Sequence, residues 1–124
     1  MANLKVNLYG MEFLNPIMTA AGPGAKDGAL CQEAAKGGAG AICTKTISVL
    51  PADVPRPCMA KTNSGFLNTE LWSELPKEQW IEEEYKKVKE TGLPVIVSMG
   101  YSAEQIAEVA PLVKPYRSEE RRVG

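Results

Sequence analysis

Histidine is absent from the 124 residues. That excludes, within this stretch, a Ser-His-Asp relay and any histidine-ligated metal. A basic excess is also missing: fourteen Lys and Arg stand against fifteen Asp and Glu, for a net charge of −1. A nucleic-acid-binding surface would want the opposite balance. No apolar run approaches the ~20 residues of a membrane span, and Met1-Ala2-Asn3 begins no signal-peptide pattern. The expected address is cytoplasmic, with neither nucleic acid nor membrane as partner. Cysteine is scarce and odd in number: Cys31, Cys43 and Cys58 lie on apolar or loop segments without ligand spacing. Neither a disulfide framework nor a metal site is expected from them. What remains is ordinary for a soluble globular chain, with 44% apolar and 23% charged residues.

Composition breaks near the end. Residues 117–124, Arg-Ser-Glu-Glu-Arg-Arg-Val-Gly, hold three arginines, whereas the preceding 116 residues hold one, Arg56. The string resembles a translated sequencing-library adapter and is set aside as a non-native tail, as a fusion scar would be. The body, 1–116, then carries −2, and the reading frame is expected to stop mid-protein.

The body changes period several times. Leu4-Lys5-Val6-Asn7-Leu8-Tyr9 alternates, Gly10 punctuates, and Met11-Glu12-Phe13-Leu14 alternates again, which predicts a half-exposed antiparallel hairpin. Asn15-Pro16 marks a turn, and Ile17–Ala21 is a short apolar strand running into the loop Gly22-Pro23-Gly24. From Asp27 a helix is expected, with Ala29, Leu30, Ala34 and Ala35 largely on one face and Gly37-Gly38 as its stop. Ala39–Thr44 is a second buried strand. Thr46–Pro76 is a long proline-studded excursion with little periodicity, and a loop of that length suggests function. Lys77–Glu90 reads as an amphipathic helix with Trp80, Ile81, Tyr85 and Val88 inward, and most of its charges as a solvated face. Pro94–Ser98 is a third buried strand, and Ser102 caps a helix over Ala103–Val113. Strands alternating with helices predict a parallel α/β fold: a hairpin followed by three βα units. A complete (β/α)8 TIM barrel needs about 250 residues, so three units would be an incomplete one.

In parallel α/β folds ligands bind beyond the carboxyl ends of the strands. There stand the small residues Ala20, Ala21 and Gly22, which let a ring or phosphate approach the backbone. After the second strand comes Thr44-Lys45-Thr46. A lysine at the end of a buried strand needs a reason, because an unpartnered ammonium is expensive to bury. It could hold a cofactor's anionic atoms, pair with a carboxylate, or form a Schiff base. Asn68 in the excursion carries donor and acceptor groups suited to a planar amide, or it makes an Asx turn. Ser98 ends the third strand. No G-x-G-x-x-G is present, so a dinucleotide fingerprint is not expected.

Taken in order, Asn15-Pro16-Ile17-Met18-Thr19-Ala20-Ala21-Gly22, Thr44-Lys45-Thr46 and Phe66–Glu74 (Phe-Leu-Asn-Thr-Glu-Leu-Trp-Ser-Glu) resemble the opening of the dihydroorotate dehydrogenase family. The last stretch looks like the branch that includes the pyrimidine-reducing domain of dihydropyrimidine dehydrogenase. The resemblance covers residues 4 to about 115. It implies an FMN-containing (β/α)8 barrel that moves a hydride between a dihydropyrimidine and flavin in pyrimidine metabolism. Ala20, Ala21 and Gly22 then match the loop bordering the flavin, and Lys45, Thr46 and Ser98 match flavin contacts. Lys45 and Asn68 match contacts to the pyrimidine. Many members have Ser where Ala21 stands, and Thr69-Glu70-Leu71 departs from the typical dihydroorotate pattern. The catalytic base belongs to later units, so the stretch alone is expected to be inactive, and the three cysteines are assigned to packing or to no role. A homodimer, or an iron–sulfur or NAD(P)H electron-transfer subunit, would be the partner of the whole protein. Two other readings stay open: a barrel lyase or aldolase with Lys45 as Schiff-base residue, and a small non-catalytic α/β binding module.

Overall fold

The computed structural model describes residues 2–116; the tail reading of 117–124 lies outside the described residues. The chain opens with the expected hairpin, β1 (Val6–Leu8) antiparallel to β2 (Met11–Phe13), in the register Val6↔Phe13 and Leu8↔Met11. Tyr9 and Gly10 join them at φ of 52° and 75°, the two positive values that a tight two-residue hairpin turn demands. Phe13 alone on this hairpin is buried.

The expected first strand, Ile17–Ala21, contracts to one parallel bridge, Met18↔Ala41. The reason lies next door. Thr19 Oγ1 accepts a hydrogen bond from Cys43 N and donates one to Cys43 O, both 2.8 Å, so a side chain replaces the backbone ladder. Helix α1 (Gly28–Lys36) follows, with the Asp27 side chain accepting from Leu30 N as N-cap. Its inward residues are Gly28 and Cys31 rather than Ala29, which is exposed. Gly38, at φ 93°, ends the helical turn. Gly40 then passes so close to Asn15 that a Cβ there would sit 2.1 Å from the Asn15 carbonyl oxygen.

β3 (Ile42–Cys43) pairs in parallel with β6 (Val95–Ile96), and a second parallel bridge, Ile47↔Met99, extends the contact. The parallel segments therefore lie side by side in chain order: Met18, then β3, then β6. The excursion is not structureless, as the sequence suggested. It holds a second antiparallel hairpin, β4 (Met59–Thr62) with β5 (Gly65–Asn68). Both faces of that hairpin are exposed, so no hydrophobic alternation marked it.

The expected helix over Lys77–Glu90 runs as α2 (Lys77–Gln79), a π-helical turn (Trp80–Glu84) and α3 (Tyr85–Lys89). The wider turn lets Trp80, Glu84, Tyr85 and Val88 all be buried. Glu84 therefore leaves the solvated face assigned to its charge run. Its carboxylate accepts from Gly28 N at 2.8 Å, at the start of α1, and pairs with Lys87. Those bonds hold its carboxyl below the ordinary range against the opposing effect of burial. Helix α4 (Ala103–Val113) starts with a capping box between Ser102 and Gln105. Two apolar clusters back the parallel segments. One joins Ala25, Cys31, Ile42, Val88 and Val95, and the other joins Ile47, Trp80, Tyr85, Val109 and Val113. The result is a mixed α/β structure with small sheets.

Candidate functional site

Lys45 leaves β3 pointing into protein and is only 3% exposed. Its backbone N donates to Ala25 O at 3.1 Å, which ties the strand end to the loop after the first parallel segment. Its ammonium donates to Glu70 Oε2 at 2.8 Å. Of the roles open to Lys45 in the sequence, pairing with a carboxylate is the one observed. The other Glu70 oxygen accepts from the Cys58 thiol at 3.3 Å and lies 3.8 Å from Arg56 Nη1. Arg56 in turn donates to Cys58 Sγ at 2.7 Å and pairs with Glu74. The hydrogen bond from Lys45 holds the Glu70 carboxyl below its usual range, against the upward push of burial; Cys58 and Arg56 add to the lowering.

Asn68 ends β5 with its side chain turned to its own backbone: Oδ1 accepts from Glu70 N at 2.7 Å. This is the Asx turn that the sequence left open. Asn68 and Lys45 are thus brought to the two sides of one residue, Glu70. Ser73 fixes the rest of the excursion. It is 2% exposed, its N donates to Thr46 O at 2.7 Å, and its hydroxyl accepts from Trp80 Nε1 at 2.7 Å.

At the neighbouring strand end, Thr46 Oγ1 and Ser98 Oγ lie 2.8 Å apart. Ile47 N donates to Ser98 O and Gly100 N to Ile47 O, each 3.1 Å, which sets this register. The loop Ala20-Ala21-Gly22 lies beyond Met18 at the start of the same arc, with Ala20 exposed and Ala21 and Gly22 half-buried. Two cavities open at these ends. One of about 160 Å³ is lined by Lys26, Asp27, Lys45, Glu70, Ser73 and Leu75, with Glu74 at its side. The other, of about 360 Å³, is lined by Thr46, Glu70, Leu71, Trp72, Gly100 and Tyr101. Glu70 belongs to both.

Sequence reasoning therefore missed Glu70, Arg56 and Cys58. Cys58 was assigned to packing or to nothing, yet its thiol joins the charge cluster. One signal could have found Glu70: a buried lysine requires a counter-ion, and this glutamate lies two residues from Asn68. Cys31 does sit in an apolar cluster, where burial pushes its thiol up to about 12, and Cys43 is half-buried. Among the described residues no cluster of potential metal ligands occurs, and no helix is long and apolar enough to cross a membrane.

Parallel strand segments joined through helices, with a buried cation and paired hydroxyls beyond their carboxyl ends, define a mixed α/β protein with a polar cluster at its strand ends. The dihydroorotate dehydrogenase family model matches residues 3–119. The chain is 33% identical over 118 residues to the catalytic subunit of dihydroorotate dehydrogenase B (NAD(+)) of Methanocaldococcus jannaschii, covering 91% of this chain and 39% of that protein. It is 35% identical over 120 residues to the same-named subunit of Methanosarcina mazei, covering 94% of this chain and 38% of that one. The chain belongs to the dihydroorotate dehydrogenase family. It spans under two fifths of the length of these relatives.

Proposed function

We propose that this chain is the N-terminal part of an FMN-dependent oxidoreductase that moves a hydride between a dihydropyrimidine ring and flavin. The family membership supports the reaction class. The observation that carries the site is the buried Lys45 at the strand ends, with the Asn68–Glu70 turn on one side and the Thr46–Ser98 hydroxyl pair at the next strand end.

The donor set suits an isoalloxazine. The loop Ala20–Gly22, the Lys45 ammonium and the hydroxyls of Thr46 and Ser98 offer a small-residue approach, a fixed cation and two adjustable donors. When bound, FMN supplies the hydride-accepting and hydride-donating chemistry. Lys45 stabilises negative charge where it develops, in a site already shielded from water. Thr46 and Ser98 orient the ring edge, and Asn68 holds the pyrimidine once its Asx turn opens. Glu70 keeps the ammonium in place. A Schiff-base role would need the free amine, whereas this nitrogen is engaged by a carboxylate at 2.8 Å; the lyase reading loses ground accordingly.

The remaining units of the barrel, the catalytic base and the phosphate-binding loops lie in the rest of the protein in this reading. So does the surface for an electron-transfer subunit, which the relatives' designation as catalytic subunits favours. A cytoplasmic location goes with it. The test is to purify the full-length protein, look for bound flavin by its absorption, and follow its bleaching by dihydroorotate and by dihydrouracil. Lys45→Ala should lower turnover by on the order of 10²-fold. A colourless protein that takes up no FMN, or unchanged turnover in the variant, defeats the proposal.

A further inference from the structure

Ser73 carries no charge and lies on no strand, yet it is 2% exposed and each of its polar groups is engaged. Its N donates to Thr46 O at 2.7 Å and its O accepts from Ala52 N at 2.8 Å. Its hydroxyl donates to Leu75 O and accepts from Leu75 N, each at 3.1 Å, and accepts from Trp80 Nε1 at 2.7 Å. A hydroxyl has one proton and two lone pairs, so this one is saturated. Ser73 thus joins four places: the departing leg of the excursion, its returning leg, the chain just past β3, and the helix that begins at Lys77.

Trp80 is the most firmly held of these partners. It is 0% exposed, within the second apolar cluster. An indole N–H can only donate, so burial obliges it to find an acceptor. Trp80 also begins the π-helical turn whose last residue, Glu84, accepts from Gly28 N at the start of α1. The turn is therefore fastened at both ends. From the indole the path is short: Trp80 to the Ser73 hydroxyl, Ser73 N to Thr46 O, and Thr46 Oγ1 to Ser98 Oγ at 2.8 Å. All four residues are buried or half-buried.

We infer that Trp80 is a positioning residue: acting through Ser73, it sets where the Thr46 hydroxyl stands against Ser98. The inference rests on the function proposed above, in which those two hydroxyls orient the flavin edge. Removing the indole N–H leaves the Ser73 hydroxyl one donor short and loosens the Ser73–Thr46 contact. A misplacement of about 1 Å in a reacting geometry costs up to about 10²-fold in rate; passed through an intermediate residue, the expected cost is about tenfold.

The experiment is stopped-flow bleaching of the bound flavin in the full-length protein by dihydroorotate or dihydrouracil, whichever reduces the wild type. Varying the substrate separates the limiting rate from the half-saturating concentration. Trp80→Phe keeps a ring and removes the donor, and Ser73→Ala removes the acceptor. Each should lower the limiting rate about tenfold, move half-saturation by less than about twofold, and shift the visible bands of the flavin. Because both act along one path, the double variant should be no slower than the slower single one. Val113→Ala, a truncation in the same apolar cluster, controls for lost stability: it should melt lower yet keep the wild-type rate and spectrum. Wild-type limiting rates in both single variants, or effects that multiply in the double variant, overturn the inference. If Trp80→Phe does not fold, Ser73→Ala set against Val113→Ala decides by the same rate. A colourless wild type, or a yellow one that neither substrate bleaches, defeats the function proposed above and this inference with it. A wild type that bleaches, beside variants that bleach equally fast, defeats the inference alone.

Discussion

Replacing either partner of the Lys45–Glu70 pair should have unequal consequences, and the order follows from what each leaves behind. The Lys45 side chain is 4% exposed and that of Glu70 12%. Glu70→Ala strands an ammonium in a buried position, and stripping one partner from a buried pair costs about 3–5 kcal/mol. The residual exposure of Glu70 puts the expected loss near the lower bound, about 3 kcal/mol. Lys45→Met keeps the aliphatic stem and leaves a carboxylate that still accepts from Cys58 and faces the exposed Arg56. Its loss should be about 1–2 kcal/mol. Urea unfolding of the full-length protein, followed through the fluorescence of the buried Trp80, reads both values. The pair also sets a pH dependence. Lys45 holds the Glu70 carboxyl below the ordinary range, so the folded state takes up this proton at lower pH than the unfolded state does. The contribution is complete above the ordinary glutamate value of about 4.3 and is lost as pH falls through the lower folded one. Wild type and Glu70→Gln should therefore differ by a constant amount from about pH 6 to 8 and converge in acid. Lys45→Met costing as much as Glu70→Ala would refute the reasoning.

Gly40→Ala should abolish soluble expression, because the new Cβ would meet Asn15 backbone at 2.1 Å, whereas Gly24→Ala, with open space around it, should leave the melting temperature within about a degree. Thiol labelling at pH 8 with quantification by mass spectrometry should modify the half-buried Cys58 and spare Cys31, whose thiol burial pushes up to about 12. Ser102→Ala should lower stability by about 1 kcal/mol in urea unfolding, since it removes the hydroxyl that caps α4.

The parts legible in the sequence are those whose side chains report their own surroundings. Leu4 to Leu14 shows the period of a hairpin, although only Phe13 of it is buried, and Ile42 and Val95 announce buried parallel strands. Ser102 announces a helix start through its own hydroxyl. Lys45 was legible as a residue in need of a partner because a charge at a strand end has to be explained. What stayed hidden depends on partners distant in the chain. Met18 keeps only one bridge because Thr19 occupies the Cys43 backbone. Glu84 looks like its neighbours Glu82 and Glu83 until Gly28 N, 56 residues earlier, arrives beside it. Glu70 carries no local sign that a lysine 25 residues before it will be buried at its side.

The chain order of the parallel segments bears on synthesis. Each one meets the segment made just before it: Met18 beside Ala41, then Ile42 beside Val95. A polypeptide emerging from the ribosome can therefore lay each new parallel segment against the one made before it. The first apolar cluster, by contrast, closes only when Val88 and Val95 arrive to cover Ala25, Cys31 and Ile42.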